Sequence, residues 1–131
     1  MRRASFPYDS AYPGEPLPLL SAEFRVTVGL PGLTLDRVIP DTGADASALP
    51  WADCQAIGLD PSMGIPGRMG GVGGSSSATL AFRSWVRLDG RDCPCWLQAD
   101  FSGRERILGR DVLNRFEVLF RGPAGLVVVN P

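Results

Sequence analysis

Apolar and polar residues alternate strictly from Glu23 to Leu30, where Phe24, Val26, Val28 and Leu30 are interleaved with Glu23, Arg25, Thr27 and Gly29. A period of two predicts a strand with one buried face. Pro31-Gly32 turns the chain, and Leu33 to Ile39 returns as the second arm of a hairpin. Ser47 to Leu49 suits a short strand. Pro50 to Ile57 then reads as a short helix, with proline in its first turn, Gly58 just past its end, and Trp51 and Ile57 as core contacts. Thr79 to Leu88 and Arg91 to Ala99 are strand-like runs joined by Asp89-Gly90, a strong two-residue hairpin signal. Ile107-Leu108 is an apolar strand end, and Gly109 to Arg115 a helix of two turns at most. Phe116 to Phe120 and Leu126 to Val129 form a last hairpin around Arg121 to Gly125. The pattern predicts about seven or eight strands and two short helices without internal repeat, an all-β barrel-like domain.

Two stretches break this periodicity. Residues 1 to 21 hold Pro7, Pro13, Gly14, Pro16 and Pro18 among scattered aromatics, which predicts an extended arm preceding a domain over 22–131. In Met69 to Gly74 four of six residues are glycine. That density costs backbone entropy, and it suits a hairpin that must hinge over a cleft or approach another backbone closely.

A chain of 131 residues with a formal charge of -1 is expected to be one domain, and its balance gives no electrostatic reason to bind nucleic acid or an anionic membrane. The absence of histidine excludes Ser-His-Asp and Cys-His nucleophilic mechanisms and imidazole metal sites. All 13 basic residues are arginine, so neither a P-loop lysine nor Schiff-base chemistry is available. Carboxylates are left as the general acid–base candidates, and no cofactor or metal is expected. Cys54, Cys93 and Cys95 form an odd set with no secretory leader ahead of them, and Cys93-Pro94-Cys95 is too tight for a usual zinc half-site. Reduced, packed thiols in a cytoplasmic protein are expected. Met1-Arg2-Arg3 is followed by no apolar export segment, and no run is long enough to span a bilayer.

The chemistry concentrates in Asp41-Thr42-Gly43-Ala44-Asp45, directly after Val38-Ile39 and Pro40. A carboxylate at such a strand-to-loop corner can activate water when a second carboxyl shares one proton with it. Together with Gly70-Gly71-Val72-Gly73-Gly74 and Ile107-Leu108-Gly109-Arg110, in this order, it resembles the retroviral-type aspartic proteases, the retropepsins. The resemblance covers Glu23 to about Phe120. It implies the acid protease fold, a single-lobe closed β-barrel with a glycine-rich flap hairpin. It implies that Asp41 is catalytic, that the Thr42 hydroxyl bonds across to a second subunit, and that Gly43 leaves room for the substrate backbone. Ala44, Asp45 and Gly70 to Gly74 would contact substrate; Ile107, Leu108, Gly109 and Arg110 would support the site from below, with Arg110 paired to Asp45. One Asp-Thr-Gly per chain implies a homodimer acting on a protein or peptide substrate. With no envelope or polyprotein context, a cellular or bacterial member is expected rather than a viral one. Two other readings stay open at this stage: a non-catalytic module that keeps the fold for dimerisation or peptide binding, and an unrelated β-domain with a chance triplet.

Overall fold

The computed structural model describes residues 4–70 and 73–130. Its ten strands are β1 (Ala4–Pro7), β2 (Leu20–Arg25), β3 (Leu33–Pro40), β4 (Ala48–Pro50), β5 (Ile65–Gly70), β6 (Ser76–Leu88), β7 (Arg91–Asp100), β8 (Arg106–Leu108), β9 (Val118–Arg121) and β10 (Leu126–Val129). Two short helices, α1 (Trp51–Ile57) and α2 (Arg110–Leu113), follow β4 and β8. Six strands close into a barrel in the order β2-β3-β8-β4-β7-β6, because β6 pairs back onto β2. β5 is added on β6 outside the closed ring, and β1, β10 and β9 make a separate three-stranded sheet. The all-β closed barrel expected from the sequence is the fold. Among the described residues no helix is long and apolar enough to cross a membrane.

Period-two burial builds the barrel wall. Phe82, Ser84 and Val86 of β6 face inward opposite Leu97, Cys95 and Cys93 of β7, while Phe24, Leu49, Leu88 and Leu108 fill the interior. Asp89 (φ 52°) and Gly90 (φ 72°) both adopt the left-handed conformation that a tight two-residue hairpin demands. Pro50 precedes α1, and Gly58, at φ 108°, donates its N–H back to the Gln55 carbonyl to close it. Trp51 stacks on Phe82 at 6.1 Å and meets Phe101 at 5.3 Å.

Two expectations shift. The strand predicted over Glu23–Leu30 ends at Arg25, and its buried set is Leu20, Ala22 and Phe24. Val28 and Leu30 are about half exposed, since pairing of Phe24 with Leu33 leaves residues 26–32 as the connection, where Pro31 has no N–H to offer a ladder. Leu20 and Ser21, read as the end of the arm, are therefore barrel residues. The proline-rich arm is tied down in part: Ala4 to Pro7 pair with Val129 to Leu126 as an edge strand, with Pro7 at its end. Arg37 Nη2 also donates to Asp9 Oδ2 (2.9 Å), and this guanidinium holds the Asp9 carboxyl below the ordinary range.

All three cysteines are buried, as free thiols. Burial pushes Cys93 up to about 11 and Cys54 up to about 12, and raises Cys95 as well. The native thiols are thus expected to resist a thiol-specific chromogenic reagent at pH 8, with all three reacting on denaturation. Because folding raises these values above the ordinary 9.0, the stability they contribute is present below pH 9 and declines as pH rises towards 11 to 12. Urea midpoints measured between pH 7 and 11 check this; a flat profile contradicts it.

Candidate active site

Asp41 stands where two parallel strands end. Ile39 and Pro40 of β3 lie beside Ile107 and Leu108 of β8, and the Asp41 N–H takes up the ladder by donating to the Leu108 carbonyl at 2.9 Å. The chain then turns at once: Ala44 N–H donates to the Asp41 carbonyl (3.2 Å), and Gly43 N–H to Asp41 Oδ1 (2.9 Å). One carboxylate oxygen is thereby oriented by the loop itself. A Cβ at Gly43 would lie 3.2 Å from that oxygen, so glycine keeps the contact uncrowded.

The start of α2 clasps this loop from below. Arg110 N–H donates to the Ala44 carbonyl (2.9 Å) and Asp111 N–H to the Asp45 carbonyl (3.3 Å). Gly109 makes that approach possible, since a Cβ there would sit 2.6 Å from the carbonyl carbon and oxygen of Ala46. Neither backbone can yield without opening the loop. Gly109→Ala is expected to cost about 3 kcal/mol or more in urea unfolding, as severe overpacking does. A loss under about 0.5 kcal/mol would mean the two segments separate freely.

Arg110 and Asp45 pair as the resemblance implied, through Arg110 Nη2 and Asp45 Oδ1, and Arg110 Nη1 also donates to the Thr42 carbonyl at 2.7 Å. The pair is at the surface, with side chains 42 % and 89 % exposed. Water screens it in the single chain, so its contribution there is at most about 1 kcal/mol. The buried linkage is a different one. Ser47 Oγ accepts the Gly109 N–H (3.0 Å) and donates to Asp111 Oδ1 (2.9 Å), joining residues on either side of the barrel sequence. Ser47 is fully buried, and Asp111 Oδ2 is buried with no hydrogen-bond partner among the described residues. Neither residue is among those the resemblance implies, and the only local signal is a hydroxyl inside the apolar run Ala46 to Leu49.

A cavity of about 270 Å³ opens on Asp41, walled by Ala44, Asp45 and Ile107 on one side and by Arg68, Met69 and Gly70 of β5 on the other. The β5–β6 hairpin thus reaches the carboxylate's side of the molecule. Its tip contains Gly73 (φ 98°) and Gly74 (φ 83°), conformations that favour glycine, whereas Gly71 and Val72 lie outside the described residues. Thr42 and Gly43 are exposed beside the cavity rather than on its wall, and Leu108 and Gly109 are buried beneath it. A larger cavity, about 810 Å³, lies elsewhere along the barrel, between Ile39, Trp51, Phe101 and Arg106, and does not touch Asp41.

A search of curated protein sequences found no match. Among solved structures, the EIAV protease complexed with the inhibitor HBY-793 is similar: 27 % identity over 79 % of this chain and 91 % of that one, with a TM-score of 0.60. The family profile described as aspartyl protease matches residues 25–112, a span that includes the Asp41 corner, the β5–β6 hairpin and the Gly109-Arg110 clasp. With most of the barrel inside that match and a retroviral protease sharing its fold, the chain belongs to the aspartyl protease family, in its retropepsin-like form.

Proposed function

We propose that the protein is an aspartic endopeptidase in which two Asp41 carboxyls, one from each subunit of a homodimer, activate a water between them. The observation that carries this is the oriented, half-buried Asp41 at the mouth of a cavity, in a chain that has a single Asp-Thr-Gly. Two carboxyls brought within about 3 Å share one proton, because both cannot ionise together. The ionised partner takes a proton from water, whose oxygen bonds to the scissile carbonyl carbon. The protonated partner donates to the carbonyl oxygen. Collapse of the resulting diol breaks the carbon–nitrogen bond, and the amine leaves with a proton from a carboxyl.

In this proposal the N–H of Gly43 keeps Asp41 Oδ1 aimed, Ala44 and Asp45 meet the substrate backbone, and the β5–β6 hairpin from Gly70 to Gly74 is the flap. The Thr42 hydroxyl bonds across the two-fold axis to the other subunit's loop. The barrel from Leu20 onward, with its flanking sheet, acts as the protease domain and the segment before Leu20 as an arm. The test is incubation with a denatured protein mixture, with and without a transition-state analogue carrying a hydroxyl in place of the hydrated carbonyl. Analogue-sensitive cleavage, with internal sites mapped by mass spectrometry, is expected. Cleavage unaffected by saturating analogue would rule the mechanism out.

A further inference from the structure

Strand register sets a row of six paired positions across the sheet, of which Ile107, Ala48 and Gln98 line the Asp41 cavity while Ile39 lines the larger one. Ile39 pairs with Ile107, Ile107 with Ala48, Ala48 with Gln98, Gln98 with Ala81, and Ala81 with Ile65. Cross-strand partners share a face, and the residues adjacent along each strand, such as Leu108, Leu49, Leu97 and Phe82, point into the core. Five of the six positions are aliphatic. The sixth is Gln98, half-buried on the cavity wall, its backbone N–H committed to the Ser47 carbonyl (2.9 Å) while its side-chain amide bonds to no described residue.

An amide has two donors and a carbonyl acceptor to satisfy. A substrate side chain lying over it removes water and must replace those bonds, or an unpaired polar group is buried. The walls leave space for a long side chain, since Ala44, Ala46 and Ala48 supply only methyl groups. At the rim Arg68 spends Nε and Nη2 on Ser76 (3.1 and 3.2 Å), which leaves Nη1 as a further donor. The uncommitted groups therefore include donors on Gln98 and Arg68 and acceptors on Gln98, Asp41 and Asp45, a mixture that an amide can satisfy.

We propose that Gln98 is a specificity-determining residue of this cleft and selects substrates whose side chain in the subsite beside Asp41 is long and ends in an uncharged carboxamide, that is, glutamine. The inference rests on the proteolytic function proposed above. A glutamine side chain would meet Gln98 amide to amide, each donating once and accepting once. Methionine, of similar length, fills the same space and leaves Gln98 unpaired.

The experiment compares kcat/KM for three peptides that differ only at that subsite (glutamine, glutamate or methionine), after library profiling has located it. The wild type is expected to prefer the glutamine peptide over glutamate, whose charge would face the Asp45 carboxylate on the same wall, and over methionine by about tenfold or more, as buried unpaired polar groups dictate. Gln98→Met should erase that preference while cleaving the methionine peptide at least as well as the wild type does. An unchanged preference in an active, folded Gln98→Met overturns the role of Gln98 and leaves the protease function standing. A wild type inert towards the entire library overturns both.

Discussion

Asp41→Asn is expected to lower peptide-bond cleavage at least about a thousandfold, with the fold intact, because it removes a group that must change protonation during the reaction. The amide has nearly the same shape, and its Oδ1 can still accept the Gly43 N–H that holds the side chain at 2.9 Å. The substitution therefore separates chemistry from structure. Cleavage would be followed on a quenched fluorescent peptide, and folding by the urea midpoint, which should move by less than about 0.5 kcal/mol for a half-exposed isosteric change. Residual turnover above a hundredth of wild type in a contaminant-free preparation would place the nucleophilic water elsewhere.

The second large effect concerns assembly. In the proposed mechanism a chain with one Asp-Thr-Gly provides half of a two-carboxylate site, so mixing wild type with excess Asp41→Asn should poison it. With nine variant chains per wild-type chain and free subunit exchange, only about one dimer in a hundred carries two Asp41 carboxyls, and activity per wild-type chain falls to about a tenth. Specific activity should also decline on dilution below the dimer dissociation constant. Undiminished activity of a demonstrated monomer, or a mixture that retains its full wild-type rate, would show that each chain works alone.

The exposure of the Arg110–Asp45 pair bears on the same question. In the single chain it is a solvated tether that holds the Thr42 carbonyl and Asp45 carboxylate in place. The interior tie, Ser47 to Gly109 and Asp111, keeps the corner beneath Asp41 shut. A serine and an aspartate separated by 64 positions are not paired by any local pattern.

What the sequence determined by itself is whatever depends on near neighbours along the chain. Alternation over Phe82 to Leu88 and Cys93 to Ala99 specified two half-buried strands, and Asp89-Gly90 the left-handed turn between them, because side-chain period and backbone sterics act over a few residues. Pro50 and Gly58 bounded α1 for the same reason. Asp41, Gly109 and Arg110 were legible as candidates because the resemblance ties them to short motifs. Tertiary structure decided everything set by register between distant strands. It ended β2 at Arg25, since the pairing of Phe24 with Leu33 outweighed an alternation that ran on to Leu30. It closed the ring through β2 and β6, laid Ala4 to Pro7 against β10, and brought Gln98 into a row with Ile107 and Ala48. These contacts gain free energy only once loops of tens of residues have closed, so no window of sequence contains the information that fixes them.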